Sequence, residues 1–195
     1  MGLTVNIIHS KERVDRYSLL KNEINRQGIV SYRIWDAIKT ENNNNKNISK
    51  AHKQIVEYAM LNGLDEVIIA EDDFYFPHKD GFKYFLFQKP IRYDIYLSGA
   101  YTGIKNINQN NRIIGRFSGL HFYMVHKRFY QTFLSLPYTS SIDNELSLLS
   151  IKGLARISIC YPMVAIQHET KSDNTGNIYK HKDFFKNGQV FGLKI

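Results

Sequence analysis

The sequence predicts an α/β domain with a mostly parallel central sheet flanked by helices. Short apolar runs alternate with stretches of helical spacing through the first half, the pattern of strand–helix–strand units. Of 195 residues, 43% are hydrophobic and 13% aromatic, enough to bury a substantial core. Tyr and Phe are abundant and only four prolines are present, a composition that argues against overall disorder.

The elements follow in chain order. Leu3 to Ile8 is an apolar run and the first predicted strand. Lys11 to Arg26 carries Val14, Tyr17, Leu20 and Ile24 at helical spacing and stops at Gly28. Ile29 to Trp35, rich in β-branched and aromatic residues, predicts a second strand. The asparagine-rich stretch from Glu41 to Asn47 reads as an exposed loop. Ser49 then caps a helix bearing Ala51, Ile55, Tyr58 and Ala59 on one face, which ends at Asn62-Gly63. Glu66 to Ala70 predicts a buried strand running straight into Glu71-Asp72-Asp73. Farther on, Tyr93 to Leu97 predicts a strand, and Gly103 with the polar stretch 105–111 a loop. Arg112 to Phe117 and Leu120 to Val125 predict a strand pair, Phe129 to Leu136 and Ile142 to Ile151 helices, and Ala155 to Ile159 a strand. No internal repeat is present, and residues 1–195 are expected to form a single domain.

Charge narrows the function classes. Lys and Arg number 26 against 18 Asp and Glu, a net charge of +8. The basic residues are dispersed, with no run that would make a tail or localisation signal, so a solvated basic surface is the plain reading. Nucleic acid, an anionic membrane face and a phosphate-bearing substrate are the three partners such a charge invites. No basic helix or RNA-binding sheet motif supports nucleic acid, which is therefore not expected as a partner. The single cysteine, Cys160, excludes an intrachain disulfide framework and a cysteine-based zinc finger. No apolar run approaches the roughly 20 residues of a membrane span, and the first residues lack a signal-peptide layout. A cytoplasmic domain is expected, at most in peripheral contact with an anionic membrane.

The acidic triplet carries the most chemical information. It follows an apolar strand at the carboxyl end, where open α/β sheets bind ligands. Adjacent carboxylates repel, and a cation or basic partner relieves them; oxygen ligands suit Mg²⁺ or Mn²⁺, often with substrate phosphates completing the shell. In an extended chain Glu71 and Asp73 point to the same side. An ordinary acidic turn with a helix cap is the alternative that the triplet alone leaves open.

Ser49-Lys-Ala-His52, the amphipathic helix after it, Asn62-Gly63 and Val67-Ile-Ile-Ala-Glu-Asp-Asp73 together resemble the signature segment of glycosyltransferase family 25. Four further segments agree in order: Asn6-Ile7 with Ser10 and Arg13; residues 118–127; Ser141-Ile-Asp143-Asn-Glu-Leu146; and Pro162, Ala165, Gln167, Ser172 and Asp173. Asn47-Ile48 and Ala51 stand where the family often has an acid-Gly pair and a serine. The resemblance implies a nucleotide-sugar-binding fold of the GT-A type, with a donor-binding half over about 1–100 and an acceptor half over about 101–195. It implies a metal-dependent, inverting transfer of a sugar, galactose for instance, from a UDP-sugar to a saccharide or glycolipid such as a lipooligosaccharide. A glycosyltransferase-like carbohydrate-binding protein without activity is the competing expectation.

Residue roles follow from that resemblance. Asp73 is the first candidate metal ligand, Glu71 a ligand or donor-sugar contact, and His168 a second ligand. Asn6, Ile7, Ser10, Arg13, Glu71, Asp72 and Lys171 are candidates for donor binding, with Arg13 and Lys171 toward the diphosphate unless they are simply solvated. Asp143 is the candidate base for the acceptor hydroxyl, with Glu145 second; a helix cap is the alternative role for Asp143. His52 is expected to pack on its helix and border the site. Tyr101, Phe122 and Tyr123 are candidates to stack on sugars, or else core aromatics.

Overall fold

The computed structural model describes residues 3–101, 113–172, 176–186 and 188–193. Among these residues are eight strands and five α-helices, interleaved along the sequence. Strands β1 (Val5–His9), β2 (Tyr32–Asp36), β3 (Glu66–Glu71), β5 (Ile95–Leu97), β6 (Phe122–His126) and β7 (Ile157–Ile159) form one sheet in the order β2-β1-β3-β6-β5-β7. Only β6 runs against its neighbours, pairing antiparallel with both β3 and β5. The remaining pairs are parallel, as predicted. A second, two-stranded antiparallel sheet joins β4 (Phe74–Tyr75) to β8 (Ile166–Gln167).

Strand alternation divides the core into two layers. Val67 and Ile69 of β3, with Tyr123 and Val125 of β6, enter one; Ile68 and Ala70, with Phe122 and Met124, enter the other. The first layer is covered by α2 (Asn44–Leu61), α4 (Tyr130–Leu134) and α5 (Ile142–Ile151) through Ile55, Val56, Ala59, Phe133, Ile142 and Leu146. The second lies under α1 (Val14–Arg26) and α3 (Gly81–Phe87), through Leu20, Ile24 and Phe85. There Phe122 packs edge-on against Phe74, Phe76 and Phe85 at ring separations of 5.2, 5.1 and 5.3 Å. Each such buried ring contributes about 1.5–3 kcal/mol through apolar burial. Phe122 is thus a core residue.

The structure corrects several sequence expectations. Helix α2 begins at Asn44, inside the asparagine stretch, and its N-cap is Asn43, whose side chain accepts from the Lys46 amide; Ser49 is an interior, buried position. Asn47 is buried and its carboxamide bonds both the amide and the carbonyl of Glu41, so this stretch is ordered by its own hydrogen bonds. On α1, Val14 is 71% exposed and Tyr17 also faces outward. The buried face is Arg16, Leu20, Glu23 and Ile24, followed by Gln27. Its polar members grip the segment after β3: Glu23 accepts from the Phe76 amide at 2.9 Å, and Gln27 bonds the His78 carbonyl and the Phe82 amide. The predicted loop over 105–111 lies outside the described residues. Of the predicted strand over 112–117, Ile113 forms a lone bridge to Ser158. Among the described residues, no helix is long and apolar enough to cross a membrane.

Candidate functional site

A cavity of about 350 Å³ opens at the carboxyl ends of β1 and β3. Ile8 and Ser10 line it from β1 and the turn after it, Asn47, Ile48, Ala51 and His52 from α2, and Glu71, Asp72 and Asp73 from the end of β3. Gly119, Ser141, Ile142 and Asp143 close it from the second half of the chain, with Gln167 and Ser172 from the C-terminal segment.

The three acids are held in different ways, because the strand ends at Glu71 and the chain turns through Asp72 and Asp73. Asp72 turns into the protein and is buried. Its Oδ2 lies 2.7 Å from His9 Nδ1 and its Oδ1 accepts from Arg16 at 2.8 Å. Glu71 and Asp73 share the other side, as the sequence predicts, and both accept from one donor: Gln167 Nε2 lies 3.0 Å from Glu71 Oε2 and 3.1 Å from Asp73 Oδ1. Arg16 also reaches Asp73 Oδ2 at 3.0 Å. Burial works against the Arg16 charge, and the Asp73 and Asp72 carboxylates more than offset it, raising its pKa. Burial pushes the Asp73 carboxyl up to about 7, against the pull of Arg16 and reinforced by Glu71 and Asp72. Glu71 moves the other way: burial opposes its charge, but His52, then His121 and Arg16, outweigh it and lower its pKa.

His52 stands behind Glu71. It is 1% exposed, its Nδ1 lies 2.7 Å from the Tyr123 hydroxyl, and its Nε2 is 3.5 Å from Glu71 Oε1 without another hydrogen-bond partner. Tyr123 is thereby a buried support for His52 rather than a face of the cavity. Tyr101 plays a comparable part, its hydroxyl accepting the Gln167 amide at 2.7 Å.

Asp143 sits in the first turn of α5, half-buried, with Oδ2 accepting from the Gly119 amide at 3.1 Å and Oδ1 from the Asn144 amide at 3.0 Å. The N-cap is Ser141, so the capping role considered for Asp143 is not the one it fills. Glu145, the second candidate, is not among the cavity residues; its Oε1 accepts from Thr139 and Ser140, each at 2.6 Å.

Other predicted residues lie outside the cavity. Asn6 and Ile7 are buried within β1, and the Asn6 carboxamide bonds the Ile68 carbonyl and the Trp35 indole. Arg13 pairs with Asp15 and with the Lys171 carbonyl. Lys171 is exposed, and its carbonyl is also contacted by Arg16. His168 follows Gln167 in an extended strand end and so faces the opposite way, with its ring 4.8 Å from Tyr75 beside a second cavity. Burial lowers its pKa, and Arg26, Arg16 and Lys182 add to the effect. The structure does not bring His168 to the two carboxylates. Among the described residues, no set of three or more His, Cys, Asp or Glu is arranged to hold a metal. The pair able to take a cation is Glu71 with Asp73, an all-oxygen set of the kind Mg²⁺ and Mn²⁺ accept alongside phosphate and water.

No protein-family model matches the sequence, and no curated protein matches it. Solved structures do. Drosophila beta-1,4-galactosyltransferase 7, in a complex with manganese, UDP-Gal and xylobiose, superposes with a TM-score of 0.55 at 9% identity over 97% of this chain and 83% of that one. A glycosyltransferase involved in glycosylating the major capsid of PBCV-1 gives 0.50 at 12% identity over 83% of each chain. HddC from Yersinia pseudotuberculosis, complexed with GMP-PN, gives 0.51 at 14% identity over 85% and 93%. The fold is GT-A-like.

Arg16, His9 and Gln167 are the site residues to which sequence reasoning assigned no part. Arg16 had a readable signal: it shares one helical stripe with Leu20, Glu23, Ile24 and Gln27. His9 had a weaker one, as the last residue of a strand ending beside the triplet.

Proposed function

We propose that the protein is a metal-dependent glycosyltransferase, similar to family 25, moving a sugar from a UDP-sugar to a hydroxyl of a saccharide or glycolipid. The observation carrying this reading is that one cavity in a GT-A-like fold gathers Glu71, Asp73 and Asp143. The galactosyltransferase among the structural neighbours holds manganese and UDP-Gal, which supports a UDP-sugar such as UDP-galactose as donor.

Asp73 and Glu71 would hold Mn²⁺ or Mg²⁺, which when bound offsets the charge growing on the departing diphosphate. Asp72, Arg16 and His9 keep the triplet in place, and His52 orients Glu71. The acceptor hydroxyl oxygen forms a bond to the anomeric carbon as the bond from that carbon to the diphosphate breaks, and Asp143 takes the hydroxyl proton. Each Asp143 oxygen accepts a single backbone N–H, leaving a lone pair for that proton. Residues 1–100 supply the carboxylates for the donor and the later half supplies Asp143, the division expected of a donor and an acceptor half. The +8 charge steers an anionic donor, or an acceptor carried on an anionic membrane, toward the cavity.

The test is release of UDP from a panel of UDP-sugars with saccharide acceptors and Mn²⁺ or Mg²⁺, with Asp73→Asn and Asp143→Asn as controls. Turnover that needs the metal and both carboxylates is expected. A folded wild-type protein that turns over no sugar nucleotide, or variants as active as wild type, would sink the reading.

A further inference from the structure

Gln167 occupies an unusual position. A primary carboxamide nitrogen carries two hydrogens, and both are used, one on Glu71 Oε2 and one on Asp73 Oδ1. Two carboxylate oxygens thus converge on a neutral donor about 3 Å from each, where a cation shared by the two acids would sit. The Glu71 contact sets the amide orientation, since a carboxylate held ionised only accepts and the nitrogen must face it. Backbone constraints set the side chain there: Gln167 pairs with Phe74, the residue directly after the triplet, and its amide is tied to the Tyr101 hydroxyl.

We propose that the Gln167 carboxamide is a built-in placeholder for the divalent cation, so that metal binding competes with it and displaces it from the two carboxylates. This rests on Glu71 and Asp73 being the cation-holding pair. The placeholder keeps two like charges together when no cation is bound and sets how tightly one is taken up.

Mn²⁺ uptake, read from loss of the free-ion EPR signal with and without UDP, tests this independently of turnover. Gln167→Met keeps the length of the side chain but has no donor, and Gln167→Glu replaces the donor with a third carboxylate. Gln167→Met is expected to bind Mn²⁺ about tenfold more tightly than wild type, since two charge-assisted hydrogen bonds no longer compete, and Gln167→Glu more tightly still. Equal or weaker binding by Gln167→Met would overturn the placeholder while leaving the cation pair standing. Absence of Mn²⁺ binding by wild type and both variants would remove the pair and the placeholder together. In the wild-type protein, Mg²⁺ with UDP should also speed solvent exchange of the Gln167 side-chain amide protons measured by NMR. An amide that stays equally protected with the ion bound would overturn the displacement even if neither variant folds.

Discussion

The two ends of β3 treat acid side chains in opposite ways. At its start, Glu66 is matched oxygen for oxygen, with Lys89 at 2.5 Å from Oε1 and the Tyr93 hydroxyl at 2.6 Å from Oε2. At its end, Glu71, Asp72 and Asp73 crowd around Arg16, His9 and one carboxamide. The first arrangement is complete in itself and contributes to stability. The second gathers three carboxylates around a single guanidinium, the place where the proposed cation would bind. One strand thus has a fully matched acid at its start and a cluster of three at its end, the end at which sheets of this kind bind ligands.

Substitutions can break that contrast, and the largest effect belongs at the crowded end. Asp73→Asn should reduce metal-dependent UDP-sugar turnover by about a thousandfold or more while the circular dichroism of the fold is retained. Next, Asp143→Asn should slow transfer by about a hundred- to a thousandfold with donor affinity, measured by calorimetry, little changed. Proportional loss of donor binding would make Asp143 a donor contact instead of the base.

A pH experiment sharpens the comparison. The Asp73 carboxyl is pushed up to about 7 in the folded protein, above its ordinary range near 3.9. Between those values the folded state holds a proton that the unfolded chain has released, so this group makes stability fall as pH rises toward and through 7. With chelator present, Asp73→Asn should therefore gain in melting temperature relative to wild type as pH goes from 5 to 8. A pH-independent difference would show that Asp73 titrates normally. The smallest effect is expected at the matched end: Glu66→Gln should cost about 1 kcal/mol in denaturant unfolding and leave turnover unchanged.

Much of this architecture is legible from sequence. The strand entering the triplet and the helix Ile142–Ile151 follow from periodicity; Glu71 and Asp73 do meet a common partner, but through a turn rather than the pleat. Helix α1 was harder to orient, because hydrophobicity weighting turns Val14 and Tyr17 inward, whereas the buried face carries Arg16, Glu23 and Gln27. Those polar residues are stabilised by partners some 50 positions away in sequence, which no local pattern reveals. The short strands β4 and β8 escaped for the same reason, since each exists only by pairing with the other. His168 was placed on the metal by resemblance; the pleat gives that side to Gln167. The start of α2 was missed because asparagine signals turns, yet Asn43 caps the helix and Asn47 ties it down.

Helix α2 joins two demands in one rod. Its first half presents Asn47, Ile48, Ala51 and His52 to the cavity, and its second half locks Ile55, Val56 and Ala59 into the core. Helix α2 has no Pro or Gly at which to kink and can only curve gently, so a change in packing under Ala59 would be passed on as a tilt of the cavity wall three turns away. If the proposed transfer takes place in this cavity, substrate preference would drift through substitutions that never touch a substrate, and a search for altered-specificity variants should include the buried half of this helix.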